Sequence, residues 1–284
     1  MIKHSDLIYD VGMHKGEDTD YYLKKGFKVV GFEANPSLIQ LCKQRFSKEL
    51  RSKRLIIIEG AIVDFESEKQ NTVRFYKNLD DSVWGTVVND WAERNERLGT
   101  SNEIIEVPTV SFTDCLKQYG IPYYLKIDIE GMDTICLKSL LKFNEKPDYL
   151  SIESEKISFN KLENEFSLLA KLGYKRFQVI NQANITSLKE PKNSKEGQYL
   201  DYEFAFGSSG LFGKDLPHSW KNHEEIIRQY RWIFLGYKLF GDSSKIRKYF
   251  LGQKLNRLLD KLLQQPIPGW FDTHAKHSSV NTGQ

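Results

Sequence analysis

Five short runs dominated by Val, Ile, Leu and aromatic residues recur through the first 155 positions, at 7–11, 28–32, 55–59, 123–129 and 148–153. A strand with one wet face alternates apolar and polar residues; these runs are apolar on successive positions, which demands a sheet covered on both faces. Stretches with helical spacing follow most of them, at 17–25, 36–49, 133–143 and 159–172, with Pro36 at a helix start and Gly26 and Gly173 at helix ends. Strands joined by crossover helices run parallel, and right-handed crossovers wind them into a doubly wound α/β sheet, mostly parallel, with helices on both faces. Such a sheet takes its ligand at the carboxyl ends of the strands, where the strand order reverses. Runs at 72–77, 104–110, 175–180 and 202–206 are expected to add further strands, and the polar stretch 181–198 a surface loop.

Composition narrows the class. The 284 residues carry 41 basic and 38 acidic side chains, a net charge of +3, too mild for a nucleic-acid binder. The longest apolar runs fall far short of the roughly 20 residues of a membrane span, and no secretory leader is expected from the polar N-terminus. Cys42, Cys115 and Cys136 are too far apart for a metal-ligand spacing and too few to pair completely, so buried thiols in a reducing cytoplasm are expected. Charge is unevenly placed: residues 214–284 hold twelve Lys and Arg against six Asp and Glu. Two units are therefore expected, a body over 1–213 and a basic helical C-terminal extension over 214–284 with helices at 223–237 and 244–264.

The chemistry concentrates at strand ends. After the first strand comes Asp10-Val11-Gly12-Met13-His14-Lys15-Gly16-Glu17, a D-x-G-x-x-x-G turn whose glycines let backbone approach a ligand above a helix N-terminus. The dinucleotide fingerprint G-x-G-x-x-G lacks its second glycine here, and an anionic Asp10 better suits a ligand bearing an amino group or a sulfonium. An ordinary tight turn has the same pattern. The second strand ends Phe32-Glu33-Ala34-Asn35-Pro36; Glu33, 21 residues beyond Gly12, is placed to accept from a ribose diol. The third ends in Gly60-Ala61-Ile62, room for a flat base beside an apolar wall. The densest feature is Leu125-Lys126-Ile127-Asp128-Ile129-Glu130-Gly131. Strand alternation turns Lys126, Asp128 and Glu130 to one side, and full burial of three charges is costly, which places them at the rim of a site.

Asp10-Val11-Gly12 through Gly16, Phe32 through Pro36 and, above all, Leu125 through Gly131 resemble the motifs of FkbM-type methyltransferases, which use S-adenosylmethionine, over roughly residues 6–180. The segments 207–217 and 270–275 resemble features of one subgroup, and His14 stands where the family commonly has Asn. The resemblance implies a Rossmann-like methyltransferase fold. It also implies a methionine pocket shaped by Asp10, Gly12 and Gly16 with Met13 and His14 in the same loop, a ribose held by Glu33 beside Ala34 and Asn35, an adenine between Ala61 and Ile62, and Asp128 near the methyl group.

Methyl transfer to a hydroxyl is an in-line displacement that needs a proton acceptor. Asp128, Glu130 and His274 are the candidate bases, with Lys126 orienting the carboxylates. Its ammonium also competes for them against Mg²⁺, so no metal is expected. Ser82, Trp84, Glu153 and His274 are candidate substrate contacts, Ser82 and Trp84 in a loop expected to lid the pocket. The expected acceptor is a small molecule or a carbohydrate. The basic stripe at 245–263 fits docking on the chain's own body, a second subunit, or peripheral contact with a membrane surface. Two alternatives stay open: another nucleoside-cofactor α/β enzyme such as an NAD-linked oxidoreductase, and a non-catalytic binding protein on the same fold.

Overall fold

A computed structural model describes residues 2–64, 70–129, 131–240 and 269–280. The chain opens with β1 (Lys3–Val11), α1 (Glu17–Lys24), β2 (Lys28–Glu33), α2 (Pro36–Arg45), α3 (Ser47–Arg51) and β3 (Leu55–Glu59). The single helix expected over 36–49 is two, because the chain leaves helical geometry at Phe46, whose ring is buried under the first loop. A detour follows: β4 (Ala61–Ile62), β5 (Thr72–Asn78), α4 (Asn89–Arg97) and β6 (Asn102–Val110). The winding resumes with α5 (Phe112–Tyr119), β7 (Ile121–Ile127), α6 (Asp133–Leu140), β8 (Tyr149–Glu153), α7 (Phe159–Lys171), β9 (Tyr174–Asn181), α8 (His223–Phe240) and β10 (Phe271–His277).

Seven strands form one sheet in the order β3-β2-β1-β7-β8-β10-β9, while β4-β6-β5 form a small second sheet. All neighbours from β3 to β8 are parallel; β10 alone enters antiparallel, paired on both sides. Apolar residues on successive positions serve the two faces in turn. Leu7, Tyr9 and Val11 join one core with Phe32, Phe112, Phe166 and Tyr230. Ile8 joins the other with Tyr21, Tyr22, Tyr124 and Phe212. The chain leaves β1 towards β2 and β3 on one side and returns to β7 on the other, so the strand order reverses between β1 and β7. A crevice opens at that point.

Two expectations are corrected. Residues 202–206 form no strand; Tyr202 and Phe204 instead pack their rings on Tyr21, at 5.0 and 4.8 Å. The polar stretch 181–198 is not a free surface loop, since Glu190 is buried against Lys25 and Glu196 accepts from Tyr123 Oη at 2.8 Å. Described parts of the expected extension over 214–284 pack on the sheet. Tyr230 of α8 packs on Phe166 of α7 at 5.6 Å, and β10 fills the gap between β8 and β9. The helix expected at 244–264 lies outside the described residues. Among those described, no helix is long and apolar enough to cross a membrane.

Candidate active site

The first loop is fixed before any ligand arrives. Gly12 and Met13 both donate their N–H to Phe32 O, at 3.1 and 2.9 Å. Gly12 has φ +82°, and a Cβ there would sit 1.9 Å from Asp128 O; only glycine lets the loops after β1 and β7 cross this closely. His14 is also left-handed, at φ +52°. Its N–H donates to Glu33 Oε2 at 2.9 Å, and its ring bridges Glu17 at 3.1 Å and Ser82 Oγ at 2.7 Å.

Glu33 ends β2 inside the cavity wall. Its carboxylate accepts from the N–H groups of His14, Ala34 (3.0 Å) and Asn35 (2.8 Å). A carboxylate has about four acceptor positions, so three backbone donors leave one for a ligand. Burial raises the carboxyl's pKa and the three donors oppose that rise. Gly60 (φ +136°) carries the chain from β3 into β4 and places Ala61 and Ile62 on the cavity beside Ala34.

Lys126 is buried rather than at a rim. Its ammonium reaches Gly12 O at 3.0 Å, Asp10 at 3.2 Å, Asp18 at 3.6 Å and Asp128 at 3.8 Å. Burial alone disfavours the ammonium, but Asp10, Asp128 and Asp18 together hold its pKa well above the usual lysine value. Asp18, in the first turn of α1, accepts from Ser209 N at 2.9 Å. Its pKa is raised by burial first, opposed by Lys126 and reinforced by Asp10.

Not every candidate lines the cavity. Asp10 is fully buried behind the first loop, held by Thr19 Oγ1 at 2.6 Å as well as by Lys126. Gly16 is required because the Phe46 ring occupies the space a Cβ would take. Asn35 caps α2, accepting from Ser37 N at 3.0 Å. These three position the loops and do not reach the cavity. His274 does not reach it either. It sits in β10, 1% exposed, with neither ring nitrogen partnered among the described residues, and burial lowers its pKa to about 3. Its imidazole lies inside the sheet, away from the cavity. Glu130 lies outside the described residues.

The cavity, about 1750 Å³, draws its lining from Gly12 in the first loop through to Asp272 in the last strand. Pockets for one small ligand run to roughly 300–1,000 Å³, so this one has room for two molecules side by side. Gly12, Met13, His14, Glu33, Ala34, Ala61, Ile62, Lys126 and Asp128 line it, as do Ser82, Trp84 and Glu153. Glu153 is paired with Lys156 at 2.7 Å. Asp18, Gln182, Ser208 and Asp272 line it too and were not among the expected site residues. Asp18 had a visible signal, an acid in a helix's first turn after a glycine loop. Asp272 stands two residues before His274 in β10. Residues two apart in a strand share a face; Asp272, level with Glu153 at the start of β10, reaches the cavity, while His274, level with Ser151, lies further along inside the sheet.

Comparisons place this geometry. No curated protein sequence matches the chain. Among solved structures it is similar to the methyltransferase FkbM of Methylobacillus flagellatus (18% identity, TM-score 0.41), the match covering 64% of this chain and 41% of that one. It is also similar to the precorrin-6y C5,15-methyltransferase of Geobacter metallireducens (8% identity, 98% and 82% coverage, TM-score 0.40). A third is a SAM-dependent methyltransferase of Archaeoglobus fulgidus (11% identity, 96% and 87% coverage, TM-score 0.37). The model of the methyltransferase FkbM domain matches residues 10–176, more than half of the chain and all of the strand-end motifs from Asp10 to Glu153; the chain belongs to that methyltransferase family.

Proposed function

We propose that the chain binds S-adenosylmethionine and transfers its methyl group to a hydroxyl oxygen of a small or carbohydrate acceptor. The observation that carries the reading is Glu33: a carboxylate fixed by three backbone donors, with an acceptor position left over, beside the crossing of Gly12 and Asp128 where the strand order reverses. That position fits one hydroxyl of a ribose. Ala61 and Ile62 offer an apolar wall for a base, and Asp18 and Asp128 supply negative charge for an ammonium and a sulfonium. When bound, the cofactor supplies a methyl carbon already activated by the positive sulfur.

The chain's own residues do the rest. Lys126 ties Gly12 O to Asp10 and Asp18, so the floor under the cofactor cannot relax when charge shifts above it. Ser82, bonded to His14, closes the loop 81–86 against the first loop and helps exclude water. Alignment of the reacting atoms at about 3–3.5 Å is the main catalytic contribution in such a displacement.

Calorimetric titration with S-adenosylmethionine and, separately, NAD tests the reading. The expected result is micromolar binding of the first alone. In Glu33→Ala, loss of a charge-assisted hydrogen bond of about 1.5–3 kcal/mol weakens it by about 10- to 100-fold, and Glu33→Gln controls for folding. Binding of NAD instead restores the oxidoreductase alternative. Binding of S-adenosylmethionine with no methyl transfer to any hydroxylated acceptor restores the non-catalytic one.

A further inference from the structure

Six carboxylates that line the cavity are already engaged. Glu17, Asp18, Glu33 and Asp81 accept from N–H groups, and Asp128 and Glu153 each have an ammonium within 4 Å. The exception is Asp272. It is 7% exposed and faces the cavity, and among the described residues no donor or cation reaches its carboxylate. Two other lining side chains share this condition. Gln182 and Ser208 are each 3% exposed, and among the described residues neither the Gln182 amide atoms nor Ser208 Oγ have a partner. A buried polar group left unpaired carries an unrepaid desolvation penalty, so three of them on one wall mark where a ligand or its displaced water belongs.

Their position separates them from the cofactor's side. Val11 is in register with Ile127, Ile127 with Ile152 and Glu153 with Asp272. Gly12, Asp128, Glu153 and Asp272 therefore form one row across four neighbouring strands. At about 4.8 Å per strand, Asp272 lies about 10 Å of backbone from Asp128, on the side away from Gly12. Gln182 N donates to Trp270 O at 2.9 Å, and Trp270 stacks edge-on with Phe206 at 5.5 Å, which brings the segment with Ser208 to the same end. None of the three lies within the family-matched residues 10–176.

We propose that Gln182, Ser208 and Asp272 form the acceptor subsite, taking a neutral polyhydroxylated molecule and holding the reacting hydroxyl on Asp272. The proposal rests on the methyl-transfer reading. An amide and a hydroxyl, each able to donate and accept, suit ligand hydroxyls. The carboxylates of Asp272, Glu153 and Asp128 repel an anionic group at this end. As the new carbon–oxygen bond forms, the sulfur–carbon bond breaks with its electron pair staying on sulfur, and the hydroxyl proton passes to the Asp272 carboxylate. Burial first, then Asp128 of the β7 loop and Glu153 of β8, raise the basicity of that carboxylate; Asp18 of α1 adds to them and Lys126 of β7 opposes.

The test uses the full chain loaded with S-adenosylhomocysteine and saturation-transfer NMR against glucose, galactose, mannose, glucosamine and glucose 6-phosphate. Neutral sugars are expected to receive saturation in the wild type and to lose it in Gln182→Ala/Ser208→Ala, with S-adenosylhomocysteine affinity unchanged within twofold by calorimetry. With the best-saturated sugar as acceptor, Asp272→Asn is expected to lower kcat by 10²–10⁴-fold, the span of a general base, and to leave KM within threefold. No neutral sugar bound by the loaded wild type, saturation confined to glucosamine or glucose 6-phosphate, or equal signals in wild type and double variant overturns the subsite. A loss in Asp272→Asn confined to KM overturns its role as proton acceptor. If the wild type does not bind S-adenosylhomocysteine at all, the underlying cofactor reading has failed instead.

Discussion

At Gly12 conformation and contact make the same demand. Alanine there carries about 1–2 kcal/mol for a left-handed backbone, and its methyl group meets Asp128 O, which must move. Gly12→Ala is expected to weaken S-adenosylhomocysteine binding by more than tenfold and to lower Tm; unchanged affinity would show that the crossing does not shape the cofactor site. His274 shows the opposite case, a residue whose type suggested chemistry and whose place denies it. Folded, its imidazole stays neutral down to about pH 3; unfolded, it takes up a proton below about 6.5. The unfolded state therefore binds more protons in that window, and the stability held above pH 6.5 falls as pH drops towards 3, by up to about 4 kcal/mol. Asp18 and Asp272, with raised values, act in the other direction, so the comparison must be between variants. Plots of Tm against pH for wild type and His274→Gln are expected to diverge below pH 6.5; parallel plots would mean that the ring finds a charge partner. Glu33 was legible in the sequence because a strand end fixes where its side chain goes. The burial of Asp10 against Lys126 was not, since it depends on a strand residue 116 positions away.

Among the elements, the parallel strands were legible for a physical reason: burial on both faces imposes apolar residues on successive positions, a pattern little else demands. The last strand had no such signature. Phe271–His277 alternates charged, polar and small residues, yet five of its seven are buried, because pairing on both edges and packing from both faces cover them whatever their polarity. Its partners Tyr149–Glu153 and Tyr174–Asn181 lie about a hundred residues earlier, a distance that local pattern cannot bridge. The consequence can be measured. A fragment of residues 1–213 leaves β8 and β9 with unpaired edges facing each other, and it is expected to show no cooperative melt by circular dichroism. Thr273→Pro in the full chain removes a ladder hydrogen bond and clashes mid-sheet, for an expected loss of about 3 kcal/mol or more. A cooperative melt from the fragment would show that 1–213 folds as a unit bounded at 213/214.

Across the whole molecule the cavity closes a circuit that the sequence leaves open. Its walls come from the first loop, the tips of β2 and β7, the loop 81–86 beside the small sheet, α8 and β10, so ligands in it bridge segments far apart in the sequence. Any ligand that binds the native state alone stabilises it by RT ln(1 + [L]/Kd), about 2.7 kcal/mol at a hundred times Kd. For a chain of this size that raises Tm by roughly 5 °C. A ligand held by one wall and a ligand held by all of them give the same shift, so hydrogen exchange is the discriminating measurement. With S-adenosylhomocysteine, slowed exchange is expected at 12–16, 33–35, 60–62 and 82–86, because Glu33 is bonded to the first loop and His14 to Ser82. Residues 182 and 206–209 are expected to change only when a hydroxylated acceptor is added. In Ser82→Ala the link from His14 is cut, and slowing at 82–86 should disappear while that at 12–16 remains. If protection at 82–86 survives the substitution, the small sheet is rigid by itself and does not close over the cofactor.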